Sequence, residues 1–415
     1  MRILLATYWG LPFVGGVEQY VFQLKRGLEQ QGHNVDIFCK MPDNSAYYLL
    51  GTNHVVPRDK LMPMLSAKVD TCFTNRLPGL DPWIQYLEVE KYCYEAAAAT
   101  IRPSTYDIIH TQDIISTRAF RRVTKPHVPI AATIHGCLTT EIFNRSKQIT
   151  SERMFGDDVW SYLGLAEGLG VSSSHRAIIP TQWLKNILVQ YGAPDPKMSV
   201  VPYGMDHLGF LARMGETPQM AVPDSYGRTV FICPARFDSV KGHIYLIQAL
   251  SQLKQSRQDW VCWLVGGGEL ESSLQQMVAD VGLTEQVLFL GSRPDVPALL
   301  RMADIFVLPS VQDNHPFAVM EAQLAGKPCV VSNAGGIPEM VEHLSTGYVA
   351  QAGDALDLCH KLGMALDNKE LNQQIGYRCV EFGMRQWSLE AMVQRTTAMY
   401  EEARQICHAE VMARG

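Results

Sequence analysis

The feature that most narrows what this chain can fold into is an alternation, run through twice, of short apolar segments with stretches of helical periodicity. Residues 2–7 are an apolar run; Gly15-Gly16 follows, then Val17, Tyr20, Val21, Leu24 and Leu28 at helical spacing, closing on Gly32, and 35–39 is apolar again. Such a βαβ order demands a parallel sheet covered by helices. Apolar strands at 106–110, 130–134, 177–180 and 198–201 continue it. Between Pro202 and Arg228 the periodicity stops and Gly and Pro accumulate, which reads as a linker. A second array has strands at 230–234, 261–265, 287–290, 305–308 and 328–331, with helices from Lys241, Glu269 and Pro316 and a final helical stretch at 388–407. The segment 42–100, with Pro57, Pro63, Pro78 and Pro82, reads as an insertion of loops and one or two helices. The expected architecture is α/β, two parallel-sheet domains facing a central cleft. They span 1–204 and 205–387, with the final helical stretch after them. Ligands in such sheets bind beyond the carboxyl ends of the strands.

Charge and cysteine usage limit the partners. A formal net charge of −6 argues against nucleic acid, because phosphate-backbone binding needs a basic excess. An anionic ligand must then be held by a few placed cations and backbone N–H groups. No apolar run approaches the roughly 18 residues of a membrane span. The opening residues 1–7 read as a buried strand rather than a leader, since Tyr8-Trp9-Gly10 and a glycine pair follow, and the expected location is cytoplasmic. The ten cysteines include no Cys-x-x-Cys pair, and several, such as Cys233, sit inside apolar strands. They are expected to be structural thiols rather than disulfides or metal ligands.

Four segments carry candidate chemistry. Gly15-Gly16, between a strand and a helix, lets backbone approach an anion, or serves only the turn. Arg236 and Lys241 flank the loop after the first strand of the second domain, where they could neutralise a pyrophosphate or remain a solvated pair. Gly266-Gly267-Gly268-Glu269 ends another strand, for close ligand contact or for chain reversal. The richest segment follows Leu308-Pro309-Ser310: a loop with Asp313-Asn314-His315, Pro316 placed for a first helical turn, the N–H groups of Phe317, Ala318 and Val319 aimed outward, Glu321 inside the helix and Gly326 at its end. Two carboxylates separated by seven residues suit the hydroxyls of a sugar or ribose, or are helix-surface charges.

Together, Gly15-Gly16, Arg236…Lys241, Gly266-Gly267-Gly268-Glu269, Asp313-x7-Glu321-Ala322 and Gly335-Gly336-Ile337-Pro338-Glu339 resemble the signature of glycosyltransferase family 4 over essentially the whole chain. The resemblance implies a GT-B fold: two Rossmann-like domains, the last helix crossing back so that 388–415 complete the first. It implies a retaining transferase using a nucleotide diphosphate sugar, UDP- or GDP-linked. By matching position, Arg236 and Lys241 would bind the diphosphate and Glu321 the ribose. Asp313, with the N–H groups that follow it along His315, Pro316, Phe317 and Ala318, would hold the donor sugar. His135, in Thr133-Ile134-His135-Gly136, would contact the donor sugar or reaction centre and border the acceptor. The Gly15-Gly16 loop would close over the phosphates with Glu18 beside the acceptor, while Gly267 and the backbone near Gly291–Arg293 would meet the nucleotide. The sequence departs from the family in having Asp313 where a glutamate is usual and Asn314-His315-Pro316-Phe317 after it.

The resemblance further implies no required cofactor and no metal, and the sequence holds no Asp-x-Asp motif. The departing diphosphate would be stabilised by Arg236, Lys241 and helix N–H groups, each on the order of 3 kcal/mol when removed. Domain closure would bring His135 onto the donor and exclude water. The preferred mechanism is front-face substitution assisted by the leaving phosphate. Expected partners are the nucleotide sugar and an acceptor that is a sugar, a lipid-linked glycan or a small molecule, in bacterial polysaccharide or glycoconjugate assembly. A catalytically silent GT-B binding module is the alternative from another class. Arg118, Arg121, Arg122 and Lys125 form a basic helix face that could meet an anionic acceptor or the inner membrane surface, or simply be solvated. Trp83, Tyr86, Tyr92 and Tyr94 could stack on an acceptor sugar or pack in the core.

Overall fold

Six consecutive residues of β1 (Arg2–Gly10), Ile3 through Tyr8, are buried, as a strand at the centre of a parallel sheet covered on both faces must be. The computed structural model describes residues 1–12, 15–77, 79–148 and 155–413. The chain divides into two units, Met1–Gly204 with Leu389–Gly415, and Met205–Ser388.

In the first unit β1 is joined by β2 (Asn34–Lys40), β3 (Ala46–Leu49), β4 (Val55–Pro57), β5 (Ile108–Thr111), β6 (Ile130–Thr133), β7 (Arg176–Ile179) and β8 (Met198–Val200) in the order β4-β3-β2-β1-β5-β6-β7-β8. All pairings are parallel except β2 with β3 and β3 with β4. The helices are α1 (Gly16–Gln30), α2 (Arg58–Arg76), α3 (Pro82–Thr100), α4 (Ile114–Val123), α5 (Leu138–Gln148), α6 (Asp157–Ser172) and α7 (Gln182–Gln190). The insertion thus supplies two helices, as expected, and also an antiparallel edge pair that its sequence did not announce. Those strands are too short for their alternation to show.

The second unit contains α8 (His207–Gly215), β9 (Thr229–Pro234), α9 (His243–Ser256), β10 (Trp260–Val265), α10 (Glu271–Asp280), β11 (Val287–Gly291), α11 (Val296–Met302), β12 (Ile305–Leu308), α12 (Phe317–Leu324), β13 (Cys329–Ser332), β14 (Gly347–Ala350), α13 (Ala355–Asp367) and α14 (Lys369–Gln386). Its all-parallel sheet runs β11-β10-β9-β12-β13-β14, the doubly wound order. The expected linker is corrected here: α8 lies within it, capped by Asp206 Oδ1 on the Gly209 N–H at 3.0 Å, with Phe210 buried. A nine-residue helix offers too few turns for a period to emerge. The sequence reading also lacked β14, α13 and α14, and Pro316 proves to precede α12 as its N-cap. The last helix, α15 (Leu389–Met412), packs on α1, β6 and β7 of the first unit. All ten cysteines are free thiols, eight of them buried.

Candidate active site

Strand order in the second unit reverses between β9 and β12, so the loops after these strands diverge and leave a crevice at their carboxyl ends. Both candidate cations stand there. Asp238 Oδ1 accepts from the Lys241 backbone N–H at 3.2 Å and fixes a short 3-10 turn, Ser239–Lys241, ahead of α9. Lys241 Nζ then reaches Asp313 Oδ2 at 2.6 Å, joining the two loops. Arg236, its side chain 42% exposed, pairs with Asp238 at 2.9 Å. Each cation is therefore matched by a carboxylate, and an incoming anion competes with these acids.

Asp313 is held on all sides. Oδ2 also accepts from Ser310 Oγ at 3.2 Å, Oδ1 from the Asn314 N–H at 3.1 Å, and its carbonyl from the Gly336 N–H at 3.1 Å. Gly335 has φ +57°, and a Cβ there would lie 1.8 Å from that carbonyl oxygen. This explains the Gly335-Gly336 pair: the chain must pass the Asp313 backbone with no side chain. Gly266, at φ +151°, presses on the Ala235 carbonyl in the same way, so this part of the triple glycine brings the β10 loop against the β9 loop. Gly267, between them, is half-buried beside Ser292.

In α12, Phe317, Val319, Met320, Ala322, Gln323 and Leu324 are buried. The two remaining residues, Ala318 and Glu321, are one turn apart on one face, so the helix presents a small residue and a carboxylate. At three further expected positions the side chain turns inward. His315 is buried, its ring edge-on to Trp387 at 5.0 Å, and desolvation lowers its pKa to about 3. Phe317 enters the core. Arg293 is buried and bonds Asp295 at 2.8 and 2.7 Å, while donating to the carbonyls of Ala221 at 3.0 Å and Met220 at 2.9 Å. All three side chains lie inside the second unit.

In the first unit Gly15 and Gly16 begin α1, and Glu18 lies in its first turn. Phe13 and Val14 of that loop lie outside the described residues. His135 follows β6, and burial lowers its pKa to about 3. Its Nδ1 meets Tyr203 Oη at 2.5 Å and its Nε2 meets Gln112 Oε1 at 3.1 Å. Sequence reasoning missed both partners, since neither stands in a motif. Arg121 and Arg122 of the basic face pair with Glu410 at 2.9 Å and Glu95 at 3.1 Å, which removes much of the expected excess charge. Of the insertion's aromatics, Tyr94 is fully buried, Trp83 packs on Phe155, Tyr92 lies under Arg122, and Tyr86 is exposed. Trp9, at the end of β1, is an exposed aromatic that the sequence reading passed over. No helix among the described residues is long and apolar enough to cross a membrane, and none of their His, Cys, Asp and Glu side chains form a group of three or more that could hold a metal.

Comparison with known proteins gives the class. Residues 220–380 match the family described as Glycosyl transferases group 1, and residues 14–207 match Glycosyltransferase Family 4. The chain belongs to this family of GT-B glycosyltransferases. It is 28% identical to UDP-Gal:alpha-D-GlcNAc-diphosphoundecaprenol alpha-1,3-galactosyltransferase of Escherichia coli, over 89% of this chain and 90% of that one. It is 23% identical to the MMP alpha-(1->4)-mannosyltransferase of Mycolicibacterium hassiacum, over 97% and 98% of the two chains. Among solved structures, Anabaena Alr3699/HepE in complex with UDP-glucose superposes with a TM-score of 0.67 at 19% identity, over 97% and 99% of the chains.

Proposed function

We propose that the second unit binds the diphosphate of a UDP-hexose and that the chain transfers the hexose, with retention, to a hydroxyl of a glycan or glycolipid acceptor. The observation that carries this is the bridge between Lys241 and Asp313 across the β9/β12 crevice, with Arg236 beside it. Two cations on a rigid frame, facing the carboxyl ends of parallel strands, form an electrostatic cradle for a diphosphate. Glu321, one turn from Ala318 on the accessible face of α12, is assigned the ribose hydroxyls, and Asp313 the donor sugar. The UDP assignment is supported by the donor in the Escherichia coli relative's name and by the ligand of the Anabaena structure.

In this reading the sugar's C1–O bond to the diphosphate breaks, its electron pair leaves on the β-phosphate oxygen, and Arg236 and Lys241 stabilise that charge. The acceptor oxygen bonds C1 on the same face, and its proton passes to the departing phosphate oxygen. No metal ion is assigned a part. The α linkages in the names of both relatives support retention of an α-linked donor. Thermal-shift and product analysis test it: UDP should stabilise the chain in the presence of chelator, and a UDP-hexose with a glycan acceptor should yield an α-linked product. Stabilisation by GDP alone, or a β-linked product, would contradict it.

A further inference from the structure

The surroundings of His135 specify its protonation. Gln112 is buried; its backbone N–H donates to Ala6 O at 2.8 Å and its amide nitrogen to His110 O at 3.2 Å. The amide oxygen is thereby turned toward His135 Nε2, 3.1 Å away. An oxygen there only accepts, so Nε2 carries the proton. Nδ1 is then the acceptor for the Tyr203 hydroxyl at 2.5 Å. Tyr20 closes the ring in, edge-on to His135 at 4.8 Å and tilted against Tyr203 at 4.9 Å. Tyr20 is itself tied through Thr133, at 3.1 Å, to His110, at 2.7 Å, and His110 to Tyr400 at 2.8 Å. The Gln112 and Tyr203 contacts thus select one orientation and one tautomer, and Tyr20, Tyr203 and His110 are titratable groups beside the ring.

We propose that Gln112 and Tyr203 are positioning residues that hold His135 as the neutral Nε2–H tautomer, so that this ring serves transfer as a fixed neutral group and not as a proton acceptor. The proposal rests on the function assigned above, and it agrees with the acceptor proton leaving on the phosphate. The resemblance to family 4 implies that His135 borders the reacting sugar, where an ionised ring would add a positive charge as an oxocarbenium-like centre develops. A neutral one adds none.

The tautomer is read directly by nitrogen-15 NMR of histidine-labelled full-length protein, with the His135→Gln spectrum identifying the signal. The expected result at pH 7 is a protonated Nε2 and a bare Nδ1. Tyr203→Phe should leave Nε2 protonated, because Gln112 still accepts from it, but release Nδ1 and let the ring turn, lowering kcat about tenfold, the scale of one lost buried hydrogen bond, with UDP affinity unchanged. Gln112→Glu places a carboxylate at Nε2, which favours the imidazolium, and should add a limb near neutrality to a pH–rate profile that lacks one. An Nδ1–H tautomer or an imidazolium in the unaltered protein at pH 7, or an unchanged kcat in Tyr203→Phe, overturns the proposal. If UDP does not bind at all, the functional assignment fails, while the spectrum still decides the tautomer.

Discussion

Lys241 Nζ lies 2.6 Å from Asp313 Oδ2, and these residues belong to the loops after β9 and β12, on either side of the point where strand order reverses. A bound diphosphate takes over part of what Asp313 gives the ammonium. Lys241→Gln keeps length and hydrogen bonding but removes the charge. It should weaken UDP binding by about tenfold or more, as loss of a charge-assisted contact does, with little change in melting temperature. Titration calorimetry on the folded variant checks this.

The position of Asp313 depends on the absence of a side chain at Gly335. Gly335→Ala, at φ +57° and with a Cβ 1.8 Å from the Asp313 carbonyl oxygen, should cost about 2–4 kcal/mol and weaken UDP binding as well. Gly363→Ala on α13, where a Cβ meets nothing within 4 Å, is the control and should be neutral or slightly stabilising. Denaturant melts of the two variants make the comparison.

Arg293 is predicted to matter for folding rather than for the donor. Its pairing with Asp295, together with its bonds to the carbonyls of Met220 and Ala221, fastens the segment before β9 to the β11–α11 loop. Arg293→Met leaves Asp295 buried without its cation and should cost about 3 kcal/mol. Nucleotide affinity, measured well below the melting temperature, should stay within about twofold of the unaltered chain.

How much of this was legible in the sequence follows from range. Ile3 through Ala6 show their burial in an unbroken apolar run, and the strand–helix alternation does the rest for both sheets. The edge strands β3 and β4 and the helix α8 are too short to display a period. At the site, Arg236, Lys241, Asp313 and Glu321 stood out as residue types in a motif. Yet nothing local says that Lys241 meets Asp313, 72 positions away, or that Arg293 and His315 turn inward. Gln112 and Tyr203 lie 23 and 68 positions from His135, and only the folded sheet brings them to its ring.

Buried Glu167 gives the first unit a dependence on pH. Desolvation is the main reason its carboxyl is raised to about 7, with repulsion from Glu141 adding to it. Donors on Oε1, the Thr139 N–H at 3.0 Å, Thr139 Oγ1 at 3.3 Å and the Cys137 thiol at 3.4 Å, offset only part. A carboxyl whose folded pKa exceeds its unfolded one binds more protons when folded, so stability falls as pH rises from about 4.5 to about 7. Glu167→Gln should flatten this slope in urea melts taken across that range.

Buried histidines act in the opposite direction. Desolvation lowers His110, His135 and His315 to about 3 and His175 and His243 to about 4. Folded, they stay neutral where the unfolded chain takes up protons, so the stability they contribute is present above about 6.5 and is lost as pH falls toward 3. Acid titration followed by circular dichroism should show cooperative loss of structure in that window, shifted to lower pH in His175→Gln.

Calorimetric titration of UDP into the unaltered chain, Arg236→Ala and Lys241→Gln, all in chelator, tests the diphosphate cradle most directly. Saturable binding by the unaltered chain, weakened about tenfold or more in each variant, is the predicted result. Equal affinity in all three, or binding that appears only when a divalent ion is restored, would contradict it.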